Sequence, residues 1–312
     1  MKYFFIRRTI TALFVLLGAS FLTYAMMMLA PGDASLEVAL ARYGGEGVVD
    51  RATVEWIREK EGLDRPFIQQ YIHWMSHVVK LDFGRSLVDE VPVTELIASR
   101  LPRTLELASA AMFLSFLLAI PLGISAGVKQ GSGLDSLGVT VAVFGVSIPN
   151  YWLGLLLILL FGVHLSWLPT FGHGTWRHLI LPAVTLGTGL TAYTTRILRS
   201  AVAEAAQAEF LMSLRARGAG SPLNIGRHVL KNALVPVITV VGMEIGMLME
   251  GAVITETVFS WPGIGELTAT AISNRDYPLI QALVLLTATV FVLINFLVDL
   301  GCRSLDPRIR LT

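Results

Sequence analysis

Five stretches of this chain, residues 9–29, 107–127, 137–163, 179–195 and 277–298, contain no Asp, Glu, Lys or Arg. An α-helix needs about 20 apolar residues to cross roughly 30 Å of hydrocarbon, and these runs meet that range. A sixth stretch, 233–255, is equally apolar but carries Glu244 and Glu250. Backbone inside lipid must satisfy its own N–H and C=O groups, so runs of this kind fold as helices. The sequence therefore predicts an all-α integral membrane protein with six transmembrane helices. Composition agrees, with 54% of residues hydrophobic and 15% charged, against about 25% charged in soluble domains.

Lys2, Arg7 and Arg8 precede the first run, the arrangement of a signal peptide. The run is longer than a cleavable apolar core and reads as an uncleaved anchor. With the N-terminus in the cytoplasm, six spans return the C-terminus there. The inner segments then hold Lys2, Arg7, Arg8, Lys129, Arg196, Arg199, Arg215, Arg217, Arg227, Lys231, Arg303, Arg308 and Arg310. The two short outer loops hold Arg177 and Arg275 only. Thirteen basic residues against two set the orientation by the positive-inside rule. The expected division is a first helix over 1–29, an extracytoplasmic segment over 30–106, a five-helix core over 107–301 and a cytoplasmic tail over 302–312. A single cysteine, Cys302, excludes an intrachain disulfide. A net charge of +1 gives no sign of a nucleic-acid partner; membrane lipid is the partner that composition implies.

Three connecting segments carry signals of their own. In 30–106, residues 49–61 have helical composition, and Pro66 opens a stretch with Phe67, Tyr71, Trp74, Met75 and Val78 at helical spacing. This segment reads as a small cap on the membrane surface and as a docking surface for an external partner. In the cytoplasmic loop 199–231, residues 200–217 favour helix and Gly218-Ala219-Gly220 supplies a stop. Ser221 and Pro222 then suit an N-cap and the first position of a second helix. Basic residues here satisfy topology, but a stiff two-helix lever exceeds what topology needs. In 256–276, Trp261-Pro262-Gly263-Ile264-Gly265 makes a turn with poor solvent residues around it. It reads either as a loop buried in protein or as a site where Trp261 anchors at the interface.

No G-x-x-x-x-G-K-[ST], H-E-x-x-H or G-x-S-x-G pattern occurs. The chain is therefore not expected to be an enzyme, and any ATP and Mg would be used by separate subunits. His73 and His77 share a helical face but lack a third ligand. His164, His173 and His178 flank one short loop and are weak candidates for transient metal ligands, since neutral imidazole suits Ni(II). Glu244 and Glu250 are carboxylates inside a span, which mark either a solute pathway or a buried structural contact. Their six-residue separation turns them about 240° apart, so they cannot share one lumen face. Met247, beside them, is a pathway candidate and equally a packing residue.

Several segments, in order, resemble the permease subunits of bacterial ABC importers for peptides and nickel. They are Leu29-Ala-Pro-Gly-Asp33, Leu81-Asp-Phe-Gly84, Leu101-Pro-Arg-Thr-Leu-Glu-Leu-Ala108, Gly145-Val-Ser-Ile-Pro-Asn-Tyr-Trp152, Arg215-Ala-Arg-Gly218, Trp261-Pro-Gly-Ile-Gly265, Arg275-Asp-Tyr-Pro278 and Leu305-Asp-Pro-Arg-Ile-Arg310. The resemblance covers nearly the whole chain. It implies an importer-type permease fold with an extracytoplasmic insertion after the first helix. It also implies a coupling helix against an ATPase, which falls here on Ser213, Leu214, Arg215, Ala216, Arg217, Gly218, Ala219, Gly220, Arg227 and His228. Glu204-Ala205-Ala206 lies fourteen residues before Gly218, unlike the usual spacing in importer permeases, so the glycine and its basic neighbours carry the match. The implied partners are a second homologous permease, two ATP-binding subunits and an extracytoplasmic substrate-binding protein, with no cofactor on this chain.

The short loop with Trp167, Gly172-His173-Gly174, Trp176 and His178 looks more like nickel-import permeases than dipeptide permeases. The substrate expectation is nickel as a chelate, with di- or oligopeptides as the alternative. A different class, an ion-coupled carrier using Glu244 or Glu250, lacks the internal repeat such carriers commonly show. An intramembrane enzyme has still less, since no nucleophile–base pattern is present.

Overall fold

The computed structural model describes residues 2–43, 49–207, 239–246, 248 and 252–305. These residues are helical apart from short connections, as the apolar runs require. Helix α1 is Lys2–Leu29, followed by α2 (Ala34–Tyr43), α3 (Arg51–Lys60), α4 (Phe67–Val78) and α5 (Val93–Val128). Then come α6 (Gly133–Ser147), α7 (Asn150–Leu157) with a π-helical turn at Ile158–His164, and α8 (Trp176–Gln207). Residues 239–246 and 252–259 are helical, and α9 (Ile264–Ser273) and α10 (Tyr277–Leu305) complete the described chain.

The apolar runs predict six straight spans, and the structure differs at the third. Residues 137–163 are not one helix: α6 and α7 meet at a bend of more than 40°. Pro149 has no N–H to continue the helix and pushes the residue before it out of the α region. Ile148 accordingly takes φ −91°, ψ 119°. Among the described residues, α1, α5 and α10 are long and apolar enough to cross a membrane, and the bent pair makes a fourth candidate. The fourth expected span, 179–195, lies inside α8, whose 32 residues extend about 48 Å. The fifth, 233–255, falls only partly on described residues.

The chain forms two compact units, 1–104 with 262–292, and 105–261 with 293–312. In the first, Val38, Ala39, Ile57, Leu87 and Val93 pack with Ile264, Leu267, Leu279, Ile280 and Leu283. The helices expected in 49–61 and from Pro66 onward are α3 and α4. Asp50 caps α3 by accepting from the Thr53 N–H at 2.8 Å. Helix α2 was not expected from periodicity, but Asp33 caps it through the Ser35 N–H at 3.0 Å. Residues 262–292 join this unit by specific bonds. The Ile264 N–H donates to Thr104 Oγ1 at 2.7 Å, and Arg100 pairs with Glu266 at 3.0 Å. Asp276 is buried and accepts from Ser86 Oγ and from the Leu87 N–H.

In the second unit, α8 is the central element, packed on α5, α6 and α7. Glycines allow the close approach, as small residues do between membrane helices. A Cβ on Gly127 of α5 would meet Val202 Cβ at 2.7 Å and the Arg199 carbonyl at 2.8 Å. One on Gly145 of α6 would meet Ala192 Cβ at 2.7 Å, and one on Gly187 of α8 would meet the Ala111 carbonyl at 3.0 Å.

Candidate translocation and coupling site

Helix α8 carries a polar stripe through an apolar setting. Thr185, Thr188 and Thr191 donate to the carbonyls of Leu181, Val184 and Gly187 at 2.8, 2.6 and 2.7 Å. These hydroxyls are satisfied within their own helix, so they add no cost of unpaired polar groups. Thr194, one turn on, donates instead to Glu244 on the fifth expected span. Glu244 is fully buried, and its second carboxylate oxygen has no hydrogen-bond partner among the described residues. The residue lies inside its own chain and does not face an open lumen in this conformation. Below Thr194, Arg199 grips Asp135 on the first turn of α6 with both guanidinium nitrogens that reach it. Asp135 also accepts from the Gly131 N–H at 2.8 Å, and Ser132 caps α6. This bidentate pair fixes the end of α8 to the start of α6.

The turn after the fifth expected span is buried in protein, which decides between the two readings of Trp261. Trp261 is 1% exposed and packs with Leu107, Ala111, Leu186, Leu190 and Leu248. Phe259 packs with Ile158 and Leu181, and its carbonyl accepts from the Gly172 N–H at 2.9 Å. Gly154 of α7 makes room, since a Cβ there would lie 3.2 Å from the Phe259 ring. Irregular backbone is tolerated at such depth only when protein surrounds it.

The other sequence candidates fall as follows. His73 and His77 adjoin on α4, with ring centroids 4.6 Å apart and the rings tilted by 55°. His164 is exposed, His173 sits edge-on to the Trp261 ring, and His178 contacts Thr175 Oγ1 at 2.8 Å. No group of three metal-ligating side chains forms among the described residues, so the structure does not gather the three loop histidines around one point. Ser213, Leu214, Arg215, Ala216, Arg217, Gly218, Ala219, Gly220, Arg227 and His228, the expected coupling residues, lie outside the described residues, as do Met247 and Glu250. Asp135, Thr194 and the fully buried Glu256 were missed by sequence reading. Only Asp135 carried a local signal, the Ser132-x-x-Asp135 spacing of a helix start.

The described helices, three of them long and apolar enough to cross a membrane, define a helical membrane protein. Residues 119–311 match the family described as "Binding-protein-dependent transport system inner membrane component", and residues 1–108 match its N-terminal counterpart. The chain belongs to this family of ABC importer permeases, and it is a non-catalytic membrane subunit. It is 37% identical over 310 residues to the glutathione transport system permease protein GsiC of Pectobacterium atrosepticum, covering 99% of both chains. The GsiC protein of Escherichia coli K12 matches at the same identity and coverage. Among solved structures, an inward-facing form of the MetNI methionine ABC transporter has a similar fold, with a TM-score of 0.56 and 20% identity. That match covers 68% of this chain and 96% of the other. Family membership implies ATPase and substrate-binding components as partners, and it leaves the ion-coupled carrier without support.

Proposed function

We propose that this chain is the permease half of an importer for short peptides of about glutathione's size. The observation that carries this reading is the 37% identity to glutathione permeases along 99% of both chains. It favours the peptide alternative over nickel, which rested on the 167–183 loop. The path is completed by a second, related permease, and two ATPase subunits on the cytoplasmic side supply the energy. Both termini lie in the cytoplasm on this reading, as the thirteen-to-two basic count supports. Residues 213–220, with Arg227 and His228, contact the ATPase. Helix α8 runs toward that loop, so the Asp135–Arg199 pair is placed to carry its displacement into α6. Glu244, held by Thr194, reaches the solute path only when the surrounding helices part.

The test is uptake by the reconstituted complex with its own binding protein. ATP-dependent uptake of a glutathione-sized peptide, with none of nickel, is the expected result. Nickel uptake that peptide does not inhibit would return the reading to metal. For the coupling loop, Gly218→Val is expected to leave assembly intact and to separate ATP hydrolysis from uptake. Normal transport by that variant would show that the lever lies elsewhere.

A further inference from the structure

We propose that α4 lies within the lipid bilayer beside α1, as a re-entrant or interfacial helix, with Ile68, Ile72 and Val79 facing acyl chains.

The 12 residues of α4 extend only about 18 Å, too short to cross the ~30 Å of hydrocarbon. Its position is fixed by what it touches. Tyr71 Oη is 2.9 Å from Ser20 Oγ, and Tyr24 Oη donates to Gln70 Oε1 at 2.7 Å. The Phe21 ring meets Phe67 and Tyr71 edge-on at 5.6 and 5.4 Å. These partners lie on the apolar part of α1, Ile6–Leu29. Ser20 is nine residues from Leu29, so it sits about 13 Å inside the end of that run. Tyr71 is therefore held at a level well inside the hydrocarbon that α1 crosses.

One stripe of the exposed side of α4 has the chemistry of that environment, and the exposed Gln69, His73 and Ser76 lie beside it. No Asp, Glu, Lys or Arg occurs from Phe67 to Val79. Ile68, Ile72 and Val79 are 52%, 61% and 79% exposed, and their spacing puts them on one side of the helix. Helix α1, on which α4 packs, is itself apolar and exposed, with Phe14 and Met26 79% and 72% exposed. Packing on a helix long and apolar enough to cross a membrane selects lipid as the occupant. The C-terminal end of the helix closes on its own backbone. Asp82 and Leu81 N–H groups donate to the His77 and Val78 carbonyls at 3.1 and 2.8 Å, a left-handed C-terminal cap. Leu81 takes the left-handed position at φ 63°, which glycine would adopt with least strain. A leucine there keeps an apolar side chain, 77% exposed, at the end of the stripe.

The test places the chain, assembled with its partner subunits, in lipid nanodiscs. Cys302→Ser removes the single native cysteine, and spin labels go on Ile68→Cys, Ile72→Cys or Val79→Cys. At each position, collision with oxygen is expected to exceed collision with a water-soluble nickel chelate several-fold, as at Phe14→Cys. Glu59→Cys, on exposed α3, should give the reverse order. Chelate access at Ile68 and Ile72 equal to that at Glu59 would overturn the proposal, because water would cover the face. Low access to both probes would also overturn it, because protein would. The three positions are independent, so loss of one variant leaves the others to decide.

Discussion

Arg199 on α8 holds Asp135 on α6 through both carboxylate oxygens, across 64 residues of sequence. The pair stands where the described part of α8 leaves the threonine stripe and heads toward the basic loop. Removing either partner leaves the other's charge without its counter-ion, so the two should act as a unit. Asp135→Ala and Arg199→Ala are each expected to lower substrate-stimulated ATP hydrolysis by about tenfold, a common size for a coupling effect. The double variant should lose little more than either single one. Additive losses in the reconstituted complex would show that the pair does not couple.

Glu244 supports a different expectation. Its described hydrogen bond comes from Thr194, and no cation lies among its described partners. Glu244→Gln keeps an acceptor for Thr194 and a side chain of the same shape. Uptake should change by less than about tenfold, which corresponds to under 1.4 kcal/mol. Glu244→Lys puts an uncompensated cation in the same dry site and should abolish assembly. Complete loss of uptake by Glu244→Gln, with assembly intact, would instead make its proton part of transport.

The glycine contacts of α8 predict a packing defect. At Gly127 an added side chain meets Val202 and the backbone of α8 within 3 Å. Gly127→Val should lower stability by about 1–3 kcal/mol, the usual cost of overpacking, seen as a lower melting temperature of the purified complex. Gly133→Ala, where nothing lies within 4 Å, is the control and should melt as the native chain does.

How much of this was legible follows from how far each signal reaches along the chain. The apolar runs gave α1, α5 and α10 directly, because a span is a local property of about 20 residues. Pro66 and the aromatic spacing after it gave α4, and the helical composition of 49–61 gave α3. Pro149 was equally visible, yet apolar length outweighed it, and the third span was drawn straight. The partners of Arg199, Glu244 and Asp276 lie 64, 50 and 190 residues away. Periodicity carries no information at that range. Residues 277–292 likewise read as part of a membrane span by hydropathy alone, although they pack with 30–104 through Leu279, Ile280 and Leu283. The loop histidines attracted notice for their chemistry, and only geometry could show them turned to separate contacts.

Asp276 gives the pH prediction. Burial pushes its carboxyl above the usual carboxylate range, against hydrogen bonds from Ser86, Leu87 and Leu279 that act the other way. The native state therefore holds this proton more tightly than the unfolded chain does. For a raised acid the sign is fixed: its contribution to stability is full below the ordinary Asp value near 4 and is lost as pH rises through the raised one. Asp276→Asn keeps an acceptor for the Leu87 N–H and cannot ionise. Its melting temperature should lose the part of the pH dependence that lies above about pH 4, and at neutral pH it should equal or exceed that of the native chain. A variant that melts lower than the native chain at neutral pH, with unchanged pH dependence, would mean that the charged carboxylate is the form that holds Ser86 and Leu87 in place.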